Sequence, residues 1–238
     1  MKKLLLYVMC TMFFACSGSP HLNLLIITGG HDFERDAFIS MFDSFSDMEY
    51  KEVTQPQANT LYADQKINEF DVLIFYDMVQ EIKDQQKSAF LDLLNQGKGI
   101  VFLHHSLVSY QNWEDFENIV GGRYYLKPDT LQGGHIISSK YKHGVIIPVE
   151  IADKGHPIME GLTNFEIHDE VYSNYKVLPG VHPLLITKHS ESGEILAWTN
   201  WYGKSRIVYI QLGHDHFAYE NPSYRRLVQQ AIRWVSEH

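Results

Sequence analysis

The sequence contains little cysteine: two residues among 238, Cys10 and Cys16, both within the first sixteen positions. The rest of the chain therefore has no internal disulfide and no cysteine nucleophile, which excludes hydrolysis through a catalytic cysteine. Positive charge is also scarce, with 20 Lys and Arg against 29 Asp and Glu and a net charge of −9. This balance argues against a nucleic-acid partner. Repeats and low-complexity segments are lacking too, and the 45% hydrophobic content indicates a globular protein with a substantial core.

Long apolar runs are lacking except at the N-terminus. Residues 4–14 form one after Lys2 and Lys3, but this run is too short to span a membrane comfortably and is typical of a secretory signal. Ala15 followed by Cys16 resembles a bacterial lipoprotein signal, in which the cysteine is lipidated. We expect residues 1–20 to be a signal peptide and tether, and the protein to be exported to the cell envelope, in the periplasm or at the outer membrane. Membrane contact would then be limited to the lipid anchor. Plain secretion, with Cys16 incidental, is the alternative.

Strand-like and helix-like patterns alternate along the first half of the chain. Apolar runs at 22–28, 50–53, 72–76 and 100–103 are typical of strands buried on both faces. Apolar residues at helical spacing lie between them, with Asp32 and Asp84 as candidate N-caps and Gly97 as a helix end. The alternation predicts an α/β fold, with a mostly parallel sheet covered by helices on both faces.

The pattern changes from about Gly133. Short strand-like runs follow at 145–151, 184–187, 195–201 and 206–211, and a helix is predicted over 223–235. No linker divides residues 21–238, so we expect them to form a single domain.

Three histidine-bearing turns directly follow predicted strands. The carboxyl ends of parallel strands meet at one edge of a sheet, so these turns are expected to converge there and form a site. A single histidine at a strand end is more often structural, but three at successive strand ends favour a site. The residues concerned are Gly29, Gly30 and His31 in the first turn, His104, His105 and Ser106 in the second, and His214 in the third.

Two adjacent carboxylates, Asp169 and Glu170, follow His168 in a short extended segment. Because side chains alternate along a strand, we expect only one of them to reach the site, and we favour Glu170. Imidazole and carboxylate together suit zinc, manganese or iron, with His31, His105 and His214 as candidate ligands. No compact metal motif such as H-E-x-x-H is present, so a metal stays an open alternative.

A serine nucleophile is also weighed at Ser106, since the turn after the fourth strand is where a strained elbow can carry one. The flanking glycines of the G-x-S-x-G motif are missing, which argues against serine hydrolysis. No nucleotide cofactor is expected. Aromatic side chains that could stack on a sugar are Tyr172, Trp198, Trp201 and Tyr219, although for each of them a place in the core is the favoured interpretation.

Taken together, these segments resemble the ThuA-like (trehalose-utilisation) family over about residues 22–235. The resemblance rests on the order and spacing of short segments along the chain, namely residues 29–33, His105-Ser106, 121–124, 156–158, 169–172, 197–199 and 212–215. It implies a flavodoxin-like fold of the class I glutamine amidotransferase type without the amidotransferase cysteine, and a role in the use of disaccharides or their 3-keto derivatives. The stretch 126–144 departs from the family pattern and leaves the roles of His135 and His143 open.

The resemblance and the residues lead to one main hypothesis. We expect an enzyme, a lyase, hydrolase or isomerase, that acts on a disaccharide or 3-keto-sugar by histidine and carboxylate acid–base chemistry, with or without a metal. The predicted catalytic residues are His105, Asp169, Glu170 and His214, and the predicted substrate-binding residues are Gly29, Gly30, His31, Ser106, Tyr172 and Trp198. The alternative is a non-catalytic glycan-binding or accessory module on the same fold.

Overall fold

A computed structural model of the chain describes residues 21–130 and 134–237. The predicted signal segment and Cys16 lie outside these residues. Among the helices described, none combines the length and the apolar content needed to cross a membrane.

The described residues contain strands throughout and helices mainly in the first half and at the end. The strands are β1 (Leu22–Gly29), β2 (Met48–Thr54), β3 (Val72–Asp77), β4 (Gly99–Leu103), β5 (Gly122–Arg123), β6 (Asp129–Thr130), β7 (Ile136–Ile137), β8 (Lys140–Ile151), β9 (Phe165–Ser173), β10 (Lys176–Val177), β11 (His182–Ile186), β12 (Ile195–Tyr202) and β13 (Ser205–Ile210). The α-helices are α1 (Arg35–Asp43), α2 (Gln57–Leu61), α3 (Asp84–Gln96), α4 (Glu114–Val120), α5 (His216–Tyr219) and α6 (Pro222–Ser236), and short 3-10 helices lie at Gln65–Glu69, His104–Val108 and Pro157–Met159.

Nine of the strands form one sheet in the order β2-β1-β3-β4-β13-β12-β11-β8-β9. The first five run parallel, and β12, β11, β8 and β9 extend the sheet by antiparallel pairing. The five parallel strands place the turns that follow them along one edge of the sheet.

Burial on both faces explains the apolar composition of the parallel strands. In β1, Leu24 and Ile26 face the core that α1 and α6 cover, while Leu25 and Ile27 face the core that α3 and α4 cover. Full burial of each such side chain contributes roughly 1.5–3 kcal/mol. The predicted α/β fold, with a mostly parallel sheet and helices on both faces, is confirmed.

The predicted helix caps are partly wrong. Helix α3 ends at Gly97, whose φ of 98° lies in the left-handed region as predicted for a C-terminal glycine. Its N-cap is Lys83, however, and Asp84 is the first helical residue. At that position the negative charge of Asp84 interacts favourably with the positive end of the helix dipole. Helix α1 begins after Glu34 rather than after Asp32, and no side chain caps it.

Candidate functional site

A cavity of about 160 Å³ lies beyond the ends of β1, β4 and β13, next to β9. It brings together five histidines, one glutamate, three tyrosines and three apolar side chains. Its lining residues are His31, Met78, His104, His105, Val108, Tyr124, Leu126, Tyr141, His143, Glu170, Tyr172 and His214. A larger, open groove of about 690 Å³ runs along α6 and shares none of these residues. The clustering of titratable side chains singles out the smaller cavity as the candidate site.

His104 stands at the elbow after β4. Its φ of 47° is unusual for a residue other than glycine, and such strain is concentrated at functional sites. The side chain is buried, and Nδ1 lies 2.6 Å from the carbonyl oxygen of Gln211. Since a carbonyl only accepts hydrogen bonds, Nδ1 carries the proton and Nε2 is turned towards the cavity.

Glu170, on β9, lies at the centre of the histidine cluster. Its carboxylate is 3.3 Å from His104 Nε2, 2.6 Å from His143 Nδ1 and 3.9 Å from His214 Nδ1. Burial alone would raise the pKa of Glu170, but the hydrogen bond and charge of His104, with the charges of the other two imidazoles, lower it. Burial likewise opposes protonation of His104, yet Glu170 raises the pKa of that imidazole. Each of these two side chains therefore shifts the pKa of the other in opposition to the effect of burial.

Asp169 points away from the cavity and organises the turn after β13. Its carboxylate accepts hydrogen bonds from the backbone amides of Gly213, His214 and Glu170 at 2.7–2.9 Å. Burial raises the pKa of Asp169 to about 6, although the charge of His104 and these amides lower it. Glu170 thus lines the cavity, whereas Asp169 is not among its lining residues and holds His214 in place.

His105 is almost completely buried, at 3% exposure, and lines the cavity beside His31, with ring centroids 5.0 Å apart. Neither ring nitrogen forms a hydrogen bond of good geometry with another described residue. Burial and the charges of His104, His31 and His214 lower its pKa well below the usual range, and the Tyr76 backbone opposes this shift only weakly. An unsatisfied buried imidazole is costly, so this side chain is suited to a polar ligand in the cavity.

His214 completes the group from the third turn. Its Nδ1 lies 3.2 Å from His104 Nε2, and its ring lies 6.3 Å from that of His31. Burial and the charge of His104 lower its pKa to about 4, so its imidazole is neutral at pH 7.

Two histidines of the cavity, His104 and His143, are not among the catalytic and binding residues that the sequence predicts for the site. The sequence favours His105 over its neighbour His104, because only the backbone dihedral at the elbow determines which of the two faces Glu170. The sequence assigns no role to His143. It lies in a break of register between β8 and β9, after Lys142, where the bulged backbone directs its side chain at Glu170. His135, the other residue left open, is exposed.

Several residues predicted to bind substrate do not line the cavity. Trp198 is fully buried in the core, where its Nε1 donates to the Val120 carbonyl, and Ser106 is buried outside the cavity lining. Gly29 and Gly30 have φ of 121° and 83°, and a Cβ on Gly30 would lie 1.8 Å from the carbonyl oxygen of Met78. The conformation of the close turn is sufficient to account for these glycines.

The remaining aromatic candidates are divided between the site and other surroundings. Tyr172 lines the cavity, with its hydroxyl 3.0 Å from His104 Nε2. Tyr219 is buried, and its hydroxyl is hydrogen-bonded to that of Tyr76. Trp201 is exposed, and its ring contacts the ring of Trp234.

Comparisons with known proteins agree with this fold. A family model named ThuA and described as trehalose utilisation matches residues 23–235. No curated protein shows significant similarity to the chain. A solved ThuA-like protein from Parabacteroides merdae ATCC 43184 is 17% identical, with 91% of this chain and 90% of that chain covered and a TM-score of 0.75.

Two further solved structures are similar to the chain. A ThuA-like protein from Bacteroides uniformis ATCC 8492 is 19% identical, with 91% and 92% covered and a TM-score of 0.68. A β-galactosidase from Rahnella sp. R3 is 12% identical over 88% of this chain and 31% of that chain, with a TM-score of 0.52. At these identities the likeness shows the fold alone, which is flavodoxin-like and of the class I glutamine amidotransferase type, as the resemblance implied.

Proposed function

The chain belongs to the ThuA family, described by trehalose utilisation, and from this premise we propose that it is an enzyme that acts on a disaccharide or 3-keto-sugar in the histidine cavity. The observation that carries the proposal is His105, a buried imidazole that lines the cavity without a well-formed hydrogen bond. Sugar hydroxyl and carbonyl groups are the partners that such a side chain lacks.

The dimensions of the cavity favour a small, polar ring. About 160 Å³ is less than the roughly 300–1,000 Å³ of pockets for drug-sized ligands, so one sugar ring enters and the rest of the substrate stays at the mouth. Tyr141 and Leu126, which line the cavity and are 62% and 41% exposed, provide an apolar surface there. Tyrosine rings of this kind pack on the apolar faces of sugars.

The chemistry that suits this arrangement is proton transfer next to a carbonyl group. Such a reaction needs a base at the carbon that loses its proton and a group that stabilises the negative oxygen. We assign His105 as the base, because its ring lines the cavity and its nitrogens form no hydrogen bond of good geometry with another described residue. His214, on the adjacent wall, donates a hydrogen bond that stabilises the oxygen, while His31 and His143 bind hydroxyl groups at the rim.

A screen of oxidised and unoxidised disaccharides, with products identified by mass spectrometry, tests the proposal. We expect turnover of at least one 3-keto-disaccharide, and a roughly 100-fold or greater loss of kcat in His105→Gln. His182→Ala is the matched control, because His182 is an exposed histidine that pairs with Asp153 outside the cavity. Unchanged turnover in His105→Gln would refute the assignment. Saturable sugar binding without any product would favour the non-catalytic module instead.

We also propose that the protein is exported and anchored through a lipid on Cys16, without any other membrane contact. The support is the sequence alone: Lys2 and Lys3, the apolar run and Ala15-Cys16. Metabolic labelling with a radioactive fatty acid checks it. The label should enter the wild-type protein and not Cys16→Ser, and labelling of both would contradict the proposal.

A further inference from the structure

Three cavity side chains converge on one point. We propose that His104, His214 and Glu170 bind a single divalent transition-metal ion, which deepens the proposed function and rests on it for the use of the ion in catalysis. Among the described residues, these three side chains form a group in which the ligand atoms, one from each residue, all lie within 4.8 Å of one another.

The distances between the ligand atoms match those around a metal ion. Zinc–nitrogen and zinc–oxygen bonds of about 2.0–2.2 Å in a tetrahedral site place neighbouring ligand atoms about 3.3 Å apart. His104 Nε2 lies 3.2 Å from His214 Nδ1 and 3.3 Å from Glu170 Oε1. The Glu170 atom nearest to His214 Nδ1 is the other carboxylate oxygen, Oε2, at 3.9 Å, and one ligand atom from each of the three residues can be chosen so that all three lie within 4.8 Å of one another.

The surroundings of His104 Nε2 are those of a ligand atom. Since Nδ1 donates its proton to the Gln211 carbonyl, Nε2 of the neutral ring offers one lone pair. Three polar atoms nevertheless lie within 3.3 Å of it: the Tyr172 hydroxyl, His214 Nδ1 and Glu170 Oε1. A single nitrogen cannot form hydrogen bonds with all three of these atoms. A metal ion would explain the close approach, because it binds the lone pairs of His104 Nε2, His214 Nδ1 and Glu170 at once.

A second layer of contacts holds each of the three side chains, as is usual for metal ligands. The Gln211 carbonyl fixes the ring of His104, and the Gln211 side chain in turn donates to the Glu170 backbone. The carboxylate of Asp169 accepts a hydrogen bond from the backbone amide of His214. His143 lies 2.6 Å from Glu170 Oε2 and sets the orientation of that carboxylate.

The donor set also defines the class of ion and its role. Two imidazoles and one carboxylate suit zinc, iron or manganese rather than calcium or magnesium, which prefer oxygen ligands. Three protein ligands leave a coordination position open towards the cavity, as in catalytic rather than structural sites. When bound, the ion would polarise a substrate carbonyl beside His105.

This ligand set differs from the one suggested by the sequence. His31 and His105 line the same cavity but lie outside the converging group. The difference between the two sets can be measured directly, because His31 and His105 can be removed without touching the three proposed ligands.

Zinc binding by the full chain provides the test. The chelator-treated protein is titrated with Zn²⁺ by calorimetry, and we expect one equivalent to bind. His104→Asn, Glu170→Gln and His214→Ala should each weaken the affinity roughly 100-fold or more, whereas His31→Ala and His105→Gln should change it less than about threefold. Asparagine is used at position 104 because it tolerates the left-handed backbone there. Circular dichroism of each variant in chelator shows that the fold is retained.

The outcomes separate this inference from the proposed function, because the titration requires no sugar. Absence of zinc binding by the wild-type protein, or equal loss in the His31 and His105 variants, would overturn the metal site. Zinc binding with the expected pattern but without turnover of any sugar would support the site and reject the enzyme.

Discussion

The hydroxyl of Tyr172 lies 3.0 Å from Nε2 of His104, and the two rings stack with their centroids 5.0 Å apart. Tyr172→Phe removes the hydroxyl and keeps the stacked ring. We expect kcat/KM to fall about five- to tenfold, because the loss of one hydrogen bond at the site costs about 1 kcal/mol. Steady-state kinetics with the substrate identified in the screen measures the effect.

Tyr175→Phe is the control for this change. Its hydroxyl also donates a hydrogen bond, partly buried, to the carbonyl of Ile195, but Tyr175 does not line the cavity. Both variants should lose similar stability to urea, and only Tyr172→Phe should lose activity. Equal kinetic losses would show that the hydroxyl of Tyr172 acts through general stability.

Asp77, at the end of β3, makes the stability of the protein depend on pH. Burial raises the pKa of this carboxyl to about 7, although Ser109 and Gln55 donate hydrogen bonds to it. The unfolded chain releases the same proton at about pH 3.9. Between these values the folded state binds more protons than the unfolded state, so its stability falls as the pH rises.

The free energy of unfolding should therefore be about 2–3 kcal/mol lower at pH 8 than at pH 5 through this residue alone. Asp77→Asn should remove that share of the difference, as measured by urea titration at both pH values. The exposed carboxyl of Asp92 supplies the control, and Asp92→Asn should keep the wild-type dependence. If Asp77→Asn shows the same dependence as the wild type, Asp77 is not its source.

The parallel half of the fold could be predicted from the sequence, because double burial leaves a strong apolar signal. Strands β1, β3 and β4 lie where the apolar runs place them, within one or two residues. The short strands β5, β6, β7 and β10 escaped prediction, since two-residue pairings leave no periodic pattern.

The site was predictable to the level of the sheet edge but not of the individual atom. Because the carboxyl ends of parallel strands lie at one edge of the sheet, His31, His105 and His214 meet in one cavity. Because side chains alternate between the two faces of β9, Glu170 rather than Asp169 lines it. The choice of His104 over His105 as the partner of Glu170 depends on one backbone dihedral. Trp198 is the converse case, a residue that the sequence places at the site and the structure places in the core. A buried tryptophan and a tryptophan that stacks on a sugar cannot be distinguished from the sequence.

Gly30 and Gly134 separate backbone strain from steric crowding. Their φ angles are nearly equal, 83° and 81°, but a Cβ on Gly30 would lie 1.8 Å from the Met78 carbonyl oxygen, whereas no atom of the described residues lies within 4 Å of a Cβ on Gly134. Gly134→Ala should cost about 1 kcal/mol through strain alone. Gly30→Ala should cost about 3 kcal/mol or more, since the turn must also shift. Equal losses in urea unfolding would show that the contact at Met78 relaxes freely.

Tyr141 tests whether the mouth of the cavity binds the outer part of the substrate. Its ring is 62% exposed, lines the cavity and lies 5.0 Å from the ring of His143. Tyr141→Ala should raise KM for a disaccharide about fivefold, with little change in kcat, because stacking on one ring contributes about 1 kcal/mol.

The control for Tyr141 is Ile146, another exposed apolar residue of β8, at 55% exposure, which does not line the cavity. Ile146→Ala should leave KM unchanged, and the melting temperatures of both variants should stay close to that of the wild type, since neither side chain is buried. If Tyr141→Ala lowers kcat and leaves KM unchanged, the ring acts on the bound reacting group through His143 and Glu170. The outer sugar would then gain no binding energy from Tyr141.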